Sequence, residues 1–281
     1  MQIFEDPHQM QESAIQMRSE GKLIALVPTS GALHSGHSRL IHRAQDAADI
    51  VVVSAIVNPR EFGPNEDYQR FPRNSSGDAD LCEREGVDVL FRPSAKVLYP
   101  EGCSVSVVED TISAGLCGVS RPHYFPGVCT LHAKLFNLVR PDSVVMGRRD
   151  VQKAAVVRRM IEELSFPVEL IMEGIERADD GLALHARNAY LNEFQRTDAA
   201  TLYRALCKGK ELVESGVTNV DRILAEVTHH ISQVRRLRVI YVAAVHPETL
   251  EPVRSEVERG KTLVMAAVWC DEVRLIDNVI V

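Results

Sequence analysis

His34 and His37 stand three residues apart in the segment Pro28-Thr-Ser-Gly-Ala-Leu-His-Ser-Gly-His37. That spacing is about one helical turn, so the two imidazoles can face the same way. Gly31 and Gly36 remove the side chains that would hold a ligand off the backbone. The apolar run Leu23–Val27 precedes the segment and an amphipathic stretch follows from Ser38. A strand that feeds a glycine-bearing loop and then a helix start leaves backbone N–H groups without intrahelical partners, and these favour an anion. Two imidazole donors beside such amides make a cradle for a phosphate that gains charge in a transition state. In a chain with ten histidines, surface or capping roles for the pair remain the alternative.

The elements that must position this loop are legible in the patterning. Asp6-Pro7 starts a helix that runs to about Glu20. Strand-like runs recur at Leu23–Val27, Ile50–Val57, Val87–Phe91, Ser143–Met146 and Val168–Met172. Helical stretches lie between them at Ser38–Ala48, Ser76–Glu85, Val128–Leu138 and Val151–Leu164. Near-continuous Val/Ile runs alternating with helices predict a Rossmann-like, doubly wound parallel α/β sheet covered on both faces. Ligands of such sheets bind beyond the strands' carboxyl ends, where the histidine loop falls. From about Glu176 the rhythm changes to two helices (about Asp198–Glu214 and Val220–Val234) and three strands (Val239–Val245, Thr262–Trp269 and Val273–Val281). This predicts a main domain over 1–175 and a smaller α+β domain over 176–281.

Composition narrows the function. The 281 residues allow two domains with real cores, and 45% hydrophobic with 25% charged residues is ordinary for a soluble protein. A net charge of −7 with no basic stripe argues against a nucleic-acid partner. The N-terminus lacks a cationic start followed by an apolar core, and no apolar run approaches a membrane span. Six scattered cysteines show no C-x-x-C and no zinc spacing, which reads as reduced thiols in a cytoplasmic protein with no protein-held metal.

His34-x-Gly36-His37 resembles the signature of the nucleotidyltransferase (HIGH) superfamily. Further segments resemble one family within it, pantothenate synthetase (pantoate–β-alanine ligase). These are Val57-Asn58-Pro59 with Phe62-Gly63-Pro64-Asn65-Glu66-Asp67, Phe71-Pro72-Arg73, Leu116-Cys117-Gly118, Lys134-Leu135-Phe136-Asn137, Asp180-Gly181-Leu182-Ala183-Leu184, Arg187-Asn188 and Arg274-Leu275-Ile276-Asp277-Asn278. The match runs the full length and is densest from Ala25 to Asn192. The resemblance implies an ATP-binding domain, a C-terminal lid, a homodimer, and magnesium accompanying the phosphates. It implies that pantoate attacks the α-phosphate of ATP, and that the amine of β-alanine then displaces AMP from the adenylate. Carried over residue by residue, it places His34, His37, Arg149 and Arg187 in catalysis, with His37 in the proton-donor role. ATP would be held by Ser30, Gly31, Ala32, Leu33, His34, Ser35, Gly36, His37, Gly147, Arg148, Arg149, Asp150, Glu176, Leu184, His185, Ala186 and Arg187. The acid would be held by Ser30, Asn58, Glu61 and Lys153.

Several positions depart from the family's pattern. Ser30 replaces a methionine, Glu61 and Lys153 replace two glutamines, and His185-Ala186 replaces two serines. Two neutral amides have thus become an anion and a cation. Either they compensate each other as an ion pair, or the pocket takes a different acid, with Lys153 meeting a second carboxylate and Glu61 an ammonium or hydroxyl. Pantoate, another carboxylate, a plain adenylyl transfer and a non-catalytic nucleotide-binding role all remain open on the sequence.

Overall fold

The computed structural model describes all 281 residues, and the chain divides into two compact units, Met1–Gly174 and Ile175–Val281. The first unit runs β1 (Gln2–Phe4), α1 (Pro7–Ser19), β2 (Ile24–Thr29), α2 (Ser35–Gln45), β3 (Ile50–Ala55), α3 (Ser75–Arg84), β4 (Val89–Phe91), α4 (Ala95–Leu98), α5 (Cys117–Ser120), α6 (Tyr124–Val139), β5 (Ser143–Gly147), α7 (Val151–Glu163) and β6 (Glu169–Glu173). Its six strands form one parallel sheet in the order β1-β4-β3-β2-β5-β6. Strand order therefore reverses at β2, whose neighbours are β3 on one side and β5 on the other. The loops leaving the carboxyl ends of these three strands flank one crevice.

Burial explains the apolar runs. Ala25 and Val27 of β2 pack with Ile41 and Ala44 of α2 and with Leu81 and Cys82 of α3. Residues of opposite parity, Ile24, Leu26 and Val52, are fully buried too, as a sheet covered on both faces requires. Met10 and Ala14 of α1, Leu135 and Val139 of α6, and Val156 and Val157 of α7 are likewise buried. Asp6 caps α1 by accepting from His8 and Gln9 N–H, with Pro7 in the first turn, as its sequence predicts. The three-residue edge strand β1 was not anticipated, because so short a run carries no period.

The second unit holds α8 (Glu193–Ala199), α9 (Thr201–Glu214), α10 (Val220–Ser232) and an antiparallel sheet of β7 (Leu237–Val245), β8 (Leu263–Cys270) and β9 (Val273–Ile280). Apolar faces of α9 and α10, with Leu202, Leu206, Ile223 and Val227, share a core with Val264, Ala266 and Val268 of β8. The single helix expected over Asp198–Glu214 is two. Helix α8 starts earlier at a capping box, in which Asn192 accepts from Gln195 N–H and the Gln195 side chain accepts from Asn192 N–H, and a break falls at Ala200.

Gly127 on α6 decides how closely the 3₁₀ turn Pro59–Glu61 approaches. A Cβ there would clash with the carbonyl oxygen of Arg60. Gly127→Ala is expected to lower stability by about 1–3 kcal/mol despite alanine's better helix propensity, because backbone must move. Urea melts of the two proteins check this, and an equal or raised midpoint would count against the close approach.

Candidate active site

The loop between β2 and α2 is built by short-range bonds and one distant clamp. Thr29 Oγ1 donates to the Ser54 carbonyl (2.7 Å) and accepts from Gly31 N–H (3.1 Å). The chain then turns through Gly31 and Ala32, both left-handed with φ of 73° and 51°. For alanine this costs about 1–2 kcal/mol. The Asp78 carboxylate of α3 holds the turn: it accepts from Ala32 N–H at 3.1 Å and from Leu33 N–H at 2.7 Å. Bonds of this charge-assisted kind contribute about 1.5–3 kcal/mol each, enough to outweigh the strained residue. A Cβ on Gly31 would sit 2.9 Å from Asp78 Oδ2, so the clamp also requires the glycine.

Helix α2 starts at Ser35 rather than near Ser38, because His34 is its cap. The His34 Nδ1 accepts from Gly36 N–H (3.2 Å), and the His37 Nδ1 accepts from His34 N–H (3.1 Å). The two imidazoles thus make a capping box normally built from serine and glutamate. Their centroids are 4.1 Å apart. Since each Nδ1 is an acceptor, each neutral ring carries its proton on Nε2. Burial, then the charge of Arg149, lowers His34 to about 4. Burial, then His34 and Arg149, lowers His37 to about 3. Both are neutral hydrogen-bond donors near pH 7. An anion brought against them would favour their charged forms.

Arg149 belongs to the 3₁₀ turn Arg148–Asp150 that follows β5 and Gly147, within electrostatic reach of both histidines. Asp150 caps α7 through Lys153 N–H (3.3 Å) and accepts from the Tyr124 hydroxyl (2.9 Å). The loop after β3 brings in Asn58 and Glu61. The Asn58 side-chain amide donates to Glu61 Oε1 and to the Gly127 carbonyl, both at 3.0 Å. Glu61 Oε2 lies 3.7 Å from Lys153 Nζ, an ion pair with side chains 9% and 18% exposed. Of the two arrangements open on the sequence, the charges do face each other. Arg121 braces this loop from behind, donating to the Glu61 carbonyl (2.9 Å) and pairing with Glu66 (2.6 Å).

Ser30 and Gly31 line a cavity of about 400 Å³ walled also by Val57, Tyr68, Arg73, Asp78 and Arg92. In the second unit, Glu176 and Leu184 face each other across a turn, Leu184 N–H donating to the Glu176 carbonyl (2.9 Å). Arg177 within that turn pairs with the buried Asp277 of β9 and stacks on Tyr203. His185 caps the 3₁₀ turn Ala186–Tyr190, accepting from Arg187 N–H at 3.2 Å. No three His, Cys, Asp or Glu side chains gather as a metal-holding group.

Sequence reasoning missed Asp78, which lies 45 residues from the backbone it holds, and no local pattern marks it. It also missed His132, a histidine inside the apolar helix α6 and fully buried.

Similarity to known proteins bears on the arrangement. A family model described as pantoate–β-alanine ligase matches residues 2–280. The pantothenate synthetase of Thermotoga petrophila is 44% identical over 280 residues, covering 100% of this chain and 99% of the relative. That of Caldicellulosiruptor saccharolyticus is 42% identical over 274 residues, covering 98% and 97%. Among solved structures, pantothenate synthetase from Thermus thermophilus superposes with a TM-score of 0.92 at 39% identity, covering 99% of each chain. A pantoate–β-alanine ligase of Francisella tularensis complexed with β,γ-ATP and β-alanine gives 0.80 at 27% identity, covering 100% of this chain and 97% of that one.

Two measurements test the site. Asp78→Asn turns one accepted bond into a donor–donor contact, so about 1–3 kcal/mol of stability and at least about tenfold in activity should be lost. Unchanged melting and turnover would remove Asp78 from the loop's support. For pH, His34, His37 and His132 are lowered from 6.5 to about 4, 3 and 3. The unfolded chain therefore binds more protons between those values, and stability rises with pH across that window and is lost as pH falls through it. Each such histidine contributes up to about 1.4 kcal/mol per pH unit. Urea melts from pH 7 to pH 5 should show this slope, and His132→Phe should flatten it by one histidine's share.

Proposed function

The chain belongs to the pantoate–β-alanine ligase family, and from that premise we propose which of its residues carry the reaction. The enzyme is an AMP-forming ligase that joins pantoate to β-alanine through an acyl-adenylate, with ATP as substrate. A carboxylate is a poor electrophile until one oxygen becomes part of a good leaving group. In the first step a pantoate oxygen bonds to the α-phosphorus and the bond to the bridging oxygen breaks, releasing pyrophosphate. In the second the amine bonds to the acyl carbon, AMP leaves with the oxygen, and the nitrogen loses a proton.

The observation that carries the residue assignment is the histidine pair at the start of α2. Each Nδ1 is held by a backbone amide, which leaves the Nε2–H on the far edge of each ring as a fixed donor. Such donors cost no reorganisation when charge develops on the phosphate. We assign these donors, with the N–H groups opening α2, to the nonbridging oxygens of the α-phosphate. Arg149 supplies the cation beside them. Gly147 and Asp150 take the adenine and ribose side; for Glu176 and Leu184 of the second unit, backbone contact with adenine is what the family resemblance implies. Arg148 is assigned to the outer phosphates; for Arg187 and His185 of the second unit a phosphate role is what the family resemblance implies, with Ala186 contributing backbone only. Asn58, Glu61 and Lys153 take the acid, and Ser30 forms the wall between the histidine loop and the neighbouring cavity.

Magnesium accompanying the ATP phosphates is what the family resemblance implies. The resemblance implies a homodimer, and Val105 and Val108, both exposed, offer it apolar surface. Six free thiols suit a reducing cytoplasm. A net charge of −7 argues against a nucleic-acid partner, and no helix is long and apolar enough to cross a membrane.

Pyrophosphate exchange into ATP tests the assignment. Exchange should require pantoate, and AMP should appear only once β-alanine is added. His37→Ala should lower exchange about 10²–10³-fold, the scale of one lost transition-state donor. Near-normal exchange in that variant would sink the role given to His37.

A further inference from the structure

The C-terminal motif Arg274-Leu275-Ile276-Asp277-Asn278 has no task in the reaction as assigned. It lies within β9, and the Asp277 side chain is only 2% exposed. A carboxylate so buried demands a partner. Arg177, 100 residues earlier in the chain, supplies a two-pronged one: Nη1 donates to Oδ2 at 2.5 Å and Nη2 to Oδ1 at 2.8 Å. Both residues belong to the second unit.

The guanidinium does more than offset the carboxylate. Its Nη1 also donates to the Gly181 carbonyl (3.1 Å), and its carbon lies 3.8 Å from the centroid of the Tyr203 ring on α9. Gly181 is left-handed, with φ of 88°, and a Cβ there would clash with that same ring. The turn at Gly181 closes a short hairpin in which Arg177 pairs with Ala183. Ala178 N–H donates to the Leu182 carbonyl and Leu184 N–H to the Glu176 carbonyl, both at 2.9 Å. Beyond the hairpin, the Asn188 side-chain amide donates to the Ala183 carbonyl (3.0 Å) and so ties on the 3₁₀ turn Ala186–Tyr190, which carries Arg187. A continuous series of bonds therefore runs from β9 to Arg187.

We propose that Arg177 and Asp277 are positioning residues for ATP: their clamp aims the Gly181 turn, and through the hairpin it fixes how Arg187 is presented to the phosphates. The inference rests on the ligase reading, from which the phosphate role of Arg187 comes, and deepens it. Two apolar side chains of similar volume could fill the same space without loss of stability. They could not direct a carbonyl, whereas a planar guanidinium held by both carboxylate oxygens has donors in fixed directions. The charges of the pair cancel, so it acts by geometry and adds no net charge of its own.

The test uses the full chain in pantoate-dependent pyrophosphate exchange, with KM for ATP and for pantoate measured separately beside thermal unfolding. The proteins are wild type, Arg177→Lys, Asp277→Asn and the double variant Arg177→Met/Asp277→Leu. Asp277→Asn leaves a buried cation without its counter-charge, so both the melting midpoint and ATP affinity should fall. The double variant removes both charges, and its midpoint should return toward wild type while the Gly181 carbonyl stays unheld. Its ATP KM should therefore remain raised about tenfold with the pantoate KM unchanged. Arg177→Lys, which keeps the charge but not the fork, should recover part of the ATP affinity. A purely structural pair gives a different pattern, in which the ATP KM returns to wild type along with the midpoint, and that result overturns the proposal. An equal rise in both KM values overturns it too. If the double variant does not fold, Tyr203→Leu removes the stacking face while leaving the ion pair: a raised ATP KM alone supports the clamp, and an unchanged one overturns it. Wild-type protein that does not exchange with pantoate overturns the ligase reading itself, whereas active wild type with either contrary pattern overturns this proposal alone.

Discussion

Two N–H bonds from consecutive backbone amides to the Asp78 carboxylate hold the rest of the active site in place. Gly31 and Ala32 must both turn left-handed for the chain to leave β2 and enter α2 at Ser35. Without an anchor the alanine would relax, and the start of α2 would shift with it. The carboxylate supplies that anchor from α3, across the cluster of Ala25, Val27, Ile41 and Leu81 that joins the two helices to the sheet. Everything downstream depends on that fixed entry. His34 becomes the cap, His37 falls in the first turn, and each ring is tied by its Nδ1 to a backbone amide.

Burial is the second constraint, and it determines what kind of group each side chain is. Near pH 7 the histidine pair is uncharged, so it acts through fixed N–H dipoles rather than as a preformed cation. The standing positive charge beside it comes from Arg149. Across the crevice, Glu61 and Lys153 offset each other, so the acid end is polar without being charged overall. On the proposed assignment, the nucleotide end attracts anions and the acid end sorts by hydrogen bonding. That division suits a reaction whose charge develops on phosphorus while the acid is selected by its polar groups.

The legible parts of the fold were those written in short windows. Alternating apolar runs and helical stretches located five of the six parallel strands and the longer helices between them, though not the four-residue α4 and α5, because period and burial follow from one another only over several residues. The Asp6-Pro7 start is read off two adjacent residues. The errors have equally physical causes. The start of α2 was placed three residues late because imidazole is an unusual cap, and an acceptor role for Nδ1 is invisible until the ring's orientation is known. The break at Ala200 has no glycine or proline to mark it. Glu61 and Lys153 were noticed as departures from a family pattern, but whether they pair depends on the turn after β3 and the start of α7 meeting against α6.

By itself, the sequence determined the alternation that makes the parallel sheet, the spacing that puts two imidazoles one turn apart, and the motifs that mark the family. These are properties of neighbouring residues, and chain connectivity alone preserves them. Only the tertiary structure decided that Asp78 supports the histidine loop and that Glu61 and Lys153 face each other. Each of these joins residues distant in sequence. They meet because packing orders the strands β3-β2-β5 and seats α3, α6 and α7 against the sheet, and no local pattern encodes that order.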